Sequence, residues 1–311
     1  MTVLVCGSIA YDNIMVFDGQ FKDHILPDKV HILNVSFLVP ELRREFGGCA
    51  GNIAYNMKML GGDVVPMASV GSDFEPYSEW MNEQGIDQTY VKRIASSYTA
   101  QAYITTDKDD NQITAFHPGA MNYAHENRIP ADSGIKFGIV APDGRDGMLQ
   151  HADQFAAASI PFIFDPGQGL PMFSGEELLD FVDKATWVAV NDYESELLAN
   201  RTGKSIEDIA GRVEALIVTR GGEGSFIYTT EGKLEIPVIK PEAIVDPTGC
   251  GDAYRAGLLF GLQNSLDWQT TGNIASLAGS IKIAHHGTQN HRYTPEGFSD
   301  HFERVFGYRY R

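Results

Sequence analysis

Short runs rich in β-branched and aromatic residues alternate with amphipathic stretches of helical spacing along most of this chain, which restricts it to a largely parallel sheet covered by helices on both faces. Strands are expected over residues 3–6, 64–70, 137–141, 162–164, 187–190 and 216–219, with helices over 52–60, 145–158, 176–184 and 193–200 between them. The last third turns helical, over 252–263, 268–285 and 295–306. Two stretches break the rhythm, 12–46 and 98–121; in the second, 101–105 and 113–116 read as a hairpin around Asp109-Asp-Asn111. Such strands form either a small second sheet over one edge, where a lid would sit, or an antiparallel extension of the main sheet. Residues 1–311 are expected to make one domain.

The bulk properties exclude several classes. No apolar run approaches the roughly 20 residues that span a bilayer, and the N-terminus reads at once as a first strand, so a cytoplasmic protein is expected. A net charge of −17 opposes binding to nucleic acid or anionic lipid. Three cysteines without metal-ligand spacing point to reduced thiols. On so acidic a chain, phosphate groups must be met by backbone donors, a metal or a few placed cations.

Asp246-Pro-Thr-Gly-Cys-Gly-Asp252 offers such donors. It lies between strand-like residues 242–245 and a helical run, so Gly249, Cys250 and Gly251 can aim backbone N–H groups at an anion while the helix N-terminus adds partial positive charge. Pro247 has no N–H to give. Asp252 then stands either as a base that accepts a hydroxyl proton or as an ordinary helix cap. A second glycine cluster, Phe46-Gly-Gly-Cys-Ala-Gly-Asn-Ile-Ala54, enters a helix far upstream.

These two clusters resemble the motifs of the ribokinase-like carbohydrate and nucleoside kinases, an N-terminal Gly-Gly and a C-terminal Asp-Thr-x-Gly-Ala-Gly-Asp, and the resemblance spans essentially the whole chain. Asp246, Gly249, Gly251 and Asp252 match; Pro247 and Cys250 depart, and Thr248 falls at the variable position. The resemblance implies a three-layer α/β/α fold with a small β-sheet lid, built from 12–46 and 98–121, and a C-terminal helical ATP-site region over 246–311. It implies transfer of the γ-phosphate of ATP to a hydroxymethyl group, with Mg²⁺ and with Asp252 as base. Gly47, Gly48 and Asn52 would bind the sugar together with Asp12, assisted by Asn13; Asp12 alone would read as a turn residue.

Asn191-Asp-Tyr-Glu194 matches the family's Asn-x-x-Glu, whose members organise magnesium through water, and equally fits a capping box. Thr219-Arg-Gly-Gly-Glu-Gly224 matches its nucleotide turn, assigning Thr219, Gly221, Gly222 and Gly224, with Thr248, to ATP; a hairpin turn is the local alternative. Arg220 is either a phosphate cation or a solvated side chain, and Asn273 is placed near adenine. Gly47-Gly-Cys-Ala-Gly-Asn52 lacks the lysine usual in ribokinases proper. Phe37, Leu38, Tyr103, Phe116 and Met121 in the lid segments suit a planar base, either sandwiching it or burying the lid against the core or a second subunit. Within the family the chain is most similar to bacterial-type adenosine kinases, which implies adenosine as acceptor, a place in purine salvage, and Phe116 and Met121 beside the acceptor. Ribose, fructose, other nucleosides and a non-catalytic ligand sensor stay open, as does a homodimer through exposed lid strands.

Overall fold

The computed structural model describes residues 2–25, 34–109, 111–130 and 134–310; residues 26–33 of the first expected lid segment and Asp110 of the hairpin tip lie outside them. In chain order the strands are β1 (Thr2–Cys6), β2 (Ala10–Val16), β3 (Glu41–Gly47), β4 (Val64–Val70), β5 (Tyr90–Arg93), β6 (Ala100–Thr106), β7 (Gln112–His117), β8 (Ile135–Val140), β9 (Phe162–Phe164), β10 (Trp187–Asn191), β11 (Ala215–Thr219), β12 (Ser225–Thr229) and β13 (Gly232–Ile236). The helices are α1 (Cys49–Met59), α2 (Glu75–Glu83), α3 (Arg145–Ala157), α4 (Gly175–Lys184), α5 (Asp192–Thr202), α6 (Ile206–Ala210), α7 (Cys250–Gln263), α8 (Trp268–Ile283) and α9 (Pro295–Phe306).

A nine-stranded sheet runs β13-β12-β11-β10-β9-β8-β1-β4-β5, parallel from β11 to β5, with β12 and β13 antiparallel at one edge. Strand β1 shows why it is covered twice. Val3 and Val5 enter a core with residues of α1, α2, α7, α8 and α9, whereas Leu4 and Cys6 enter another with residues of α3, α4, α5 and α6. Burial on both faces is what writes a parallel strand as a continuous apolar run, and β4 is buried at every position.

A separate four-stranded sheet runs β3-β2-β6-β7, with β2 and β6 parallel and both outer pairs antiparallel. The hairpin expected over 101–116 is thus real, and it belongs to a second sheet rather than to an extension of the first. One expectation is overturned: residues 242–245 form no strand. Ile244 is exposed, and the N–H groups of Val245 and Asp246 instead donate to the Ile283 carbonyl at the end of α8, at 2.9 and 3.1 Å. Among the described residues no helix is long and apolar enough to cross a membrane.

Candidate active site

Two glycine-rich turns meet between the sheets. Gly48, at the N-cap of α1, has φ 84°. A Cβ there would lie 2.6 Å from the Ala10 nitrogen and the Ser8 carbonyl, so only glycine lets α1 begin against the segment that feeds β2. Gly47 ends β3 opposite Ala10, and its carbonyl accepts from the Tyr77 hydroxyl at 2.9 Å. At the other turn Gly249 caps α7 with φ 78°. Asp246 closes that turn by accepting the Thr248 N–H at 2.9 Å. The Cys250 N–H, expected to face an anion, is turned to the Pro247 carbonyl at 3.1 Å; Gly251 and Asp252 follow it in the first turn, where helix geometry leaves amides without an intrahelical partner.

Asp252 is the third residue of α7 and not its cap, so capping does not explain its carboxylate. Its Oδ2 accepts from Asn52 Nδ2 at 2.7 Å, while Asn52 Oδ1 accepts from Gln289 Nε2 at 3.0 Å and Gln289 Oε1 from Trp80 Nε1 at 2.9 Å. Burial pushes the Asp252 carboxyl up to about 7, the Asn52 hydrogen bond opposing it and nearby Asp165 adding to it. One turn further on, Arg255, 4% exposed, forks onto both oxygens of Asp165 at 3.1 and 3.2 Å and lies 4.0 Å from Glu194 Oε2.

The sequence reading missed Asp165 and Arg255. The available signal was Asp165 itself, placed directly after the apolar β9, because ligands in open α/β sheets gather beyond the carboxyl ends of strands. Asn191 and Glu194 form the complete capping box of α5, with Glu194 N–H to Asn191 Oδ1 at 2.7 Å and Asn191 N–H to Glu194 Oε2 at 2.8 Å. Burial and Asp165 push the Glu194 carboxyl up, and Arg255 opposes them.

A cavity of about 550 Å³ opens over Asp252. Gly48, Cys49, Asn52, Thr248, Gly249 and Gly251 line it from the turns, and Ala10, Asp12, Ala102 and Phe116 from one face of the small sheet, joined by Met121. Burial, with Glu45 and Asp246 nearby, pushes the Asp12 carboxyl up to about 6. Ser8, Asp143, Gln168 and Thr288 also line the cavity and were not foreseen.

Asn13 does not join them. Successive strand residues face opposite ways, and its side chain bonds Gln101 and Arg44 on the far face of the small sheet. Tyr103 lies on that far face too, donating to Gln101; Phe37 packs against Phe17 and Phe21, and Leu38 is exposed, so of the five expected aromatic and apolar residues only Phe116 and Met121 meet the cavity.

Of the expected nucleotide residues Thr248 lines the cavity, and the others stand outside its walls. Thr219 pairs in register with Asn191 at the carboxyl ends of β11 and β10. Gly221 and Gly222 are exposed in the turn that joins β11 to β12, with Gly224 closing it. Arg220 is held over the Phe226 ring and paired with Glu223 at 3.0 Å, not left to solvent. Asn273 is buried, donating to the Tyr308 hydroxyl and accepting from Gln269, each at 3.2 Å.

Sheet, turns and cavity define a ribokinase-like α/β phosphotransferase that acts on a hydroxyl group. The chain belongs to the pfkB family of carbohydrate kinases, whose model matches residues 12–295. It is similar to the nucleoside kinase of Burkholderia thailandensis, whose inosine complex is 52% identical with 99% of both chains covered and a TM-score of 0.90. The complex of that kinase with ADP-inosine is 53% identical, covering 99% of this chain and 97% of the other, TM-score 0.87. It is also similar to the nucleoside kinase of Methanocaldococcus jannaschii, 34% identical over 273 residues, 87% of this chain and 90% of the relative. ATP is a co-substrate of such kinases.

Proposed function

We propose that this enzyme phosphorylates the 5′-hydroxyl of a purine nucleoside, adenosine by the resemblance of its sequence, with magnesium-ATP as donor and Asp252 as general base. The observation that carries the reading is the Asn52–Asp252 hydrogen bond at the floor of a cavity whose opposite wall holds Asp12 and Phe116. Asp12 supplies acceptors for ribose hydroxyls and Phe116 a face for a base, which a free sugar does not need. With the 5′-oxygen beside Asp252, its proton passes to the carboxylate as the oxygen bonds to the γ-phosphorus and ADP leaves.

The donor set suits magnesium. Asn191 and Glu194, with Asp165 beside them, offer hard oxygens to a cation that keeps most of its waters and binds phosphates. Magnesium would supply charge neutralisation on the triphosphate. Thr248, Gly249 and Gly251 meet the phosphates from the turn before α7, and Thr219 with the 220–224 turn receives the nucleotide. The small sheet acts as a lid, the enzyme works in cytoplasmic purine salvage, and β7, exposed along its whole length, is the edge open to a second copy.

Acceptor-dependent ADP release tests this, with adenosine, inosine, ribose and fructose compared on the wild type and on Asp12→Ala. Turnover of the nucleosides is expected, with Asp12→Ala raising the acceptor KM by about 10- to 100-fold, the worth of hydrogen bonds to a charged group, and sparing the ATP KM. Inosine, which the Burkholderia kinase holds, is the rival to adenosine. Preference for ribose or fructose would overturn the nucleoside assignment.

A further inference from the structure

Lys282, in the last turn of α8, is fully buried, and its ammonium is aimed at backbone carbonyls. Nζ donates to the Asp246 carbonyl at 2.7 Å and to the His285 carbonyl at 3.2 Å. The two carbonyls belong to different stretches, the turn that leads into α7 and the bend that follows α8. Both stretches reach the cavity, the first through Thr248, Gly249 and Gly251 and the second through Thr288. The Gly287 N–H, donating to Asp246 Oδ2 at 2.9 Å, ties them again.

An ammonium is expensive to bury, and among the described residues Lys282 makes no ion pair with a carboxylate side chain that would offset the cost. Asp246, Cys250 and Asp252 are the titratable groups that act on it. Burial draws its pKa down, and these three oppose that. Convergent backbone carbonyls are the way proteins replace the hydration shell of a bare monovalent cation. Here a side chain of the protein brings the charge.

We infer that Lys282 is a built-in monovalent cation, which clamps the 246–249 turn to the 285–288 bend, fixes the start of α7 against the phosphates, and frees the transfer from any need for added potassium or ammonium. Lys282 is a positioning residue, since it acts through the turn and touches no reacting atom. The inference rests on reading that turn as the phosphate side of the kinase site.

The test is turnover of the wild type, Lys282→Ala and Lys282→Met in choline, sodium, potassium and ammonium chloride at equal ionic strength. Wild-type rates are expected to be the same in all of them. Lys282→Ala should lose about 10²-fold in kcat, the effect of a displaced reacting group, and regain part of it in ammonium or potassium but not in choline. Lys282→Met, which refills the space with an uncharged chain, should show the loss without the recovery, and its melting curve establishes that it is folded. Stimulation of the wild type by potassium would overturn the inference, as would either folded variant matching the wild type in choline, or Lys282→Ala being folded yet beyond rescue by any of the cations. If Asp252→Asn keeps its activity, the reading of the site fails instead, and the salt series tells the two failures apart.

Discussion

Asn52 and Asp252 are 200 residues apart in sequence and 2.7 Å apart in the fold, and their hydrogen bond joins the first turn of α1 to that of α7. The same bond moderates the acidity of Asp252, since an amide donor favours the charged carboxylate against the burial that disfavours it.

Asp252→Asn should therefore keep the hydrogen-bonding shape and lose the base, lowering kcat by about 10²- to 10⁴-fold with little change in melting temperature. In the wild type, kcat/KM should fall as pH drops through about 7, where Asp252 takes up its proton. The linkage to stability has the opposite sense. The folded protein holds this proton where the unfolded chain, at 3.8, has released it, so the contribution of Asp252 to stability declines as pH rises from near 4 to about 7. Asn52→Ala should shift the acid limb of the rate profile to higher pH.

Cys49 and Cys250 line or border the two turns, so alkylation of either should block turnover by filling space, with ATP or acceptor protecting. Burial pushes the Cys250 thiol up to about 11 and Cys49 well above its ordinary value, against the lowering that a helix N-terminus would bring. Inactivation by iodoacetamide should then be slow at neutral pH and accelerate steeply in alkali. Full activity after both thiols are shown by mass spectrometry to be modified would end this reading.

Arg255→Met strips the partner from Asp165, whose side chain is 7% exposed. Breaking a buried ion pair on one side costs about 3–5 kcal/mol, and denaturant unfolding should show a loss of that size. Adding Asp165→Leu should return much of it, because the stranded charge then disappears as well.

What the sequence revealed and concealed follows from burial. Strands β1, β4, β8, β9, β10 and β11 are covered on both faces and so appear as largely apolar runs, whereas β3 carries Glu41, Arg43 and Arg44 on exposed positions and Glu45 on a half-buried one and gives no such sign. Residues 242–245 have strand composition, yet the Val245 N–H is taken by the Ile283 carbonyl at the end of α8. Asp12 reaches the cavity and Asn13 does not for one reason: a strand turns adjacent side chains to opposite faces, and nothing in the local sequence says which face turns to the cavity. The Arg255–Asp165 pair joins α7 to the end of β9, a long-range contact that no local spacing announces.

The small sheet lines the cavity through one face, with Ala10, Asp12, Ala102 and Phe116, while Asp252 and the turn before it reach the cavity from the start of α7. Under the proposed reading, exchanges at Ala102 or Phe116 would reshape the acceptor side of the cavity and leave Asp252 and its Asn52 hydrogen bond in place. Acceptor preference would then be open to change through a few substitutions on one sheet face, separately from the turn before α7.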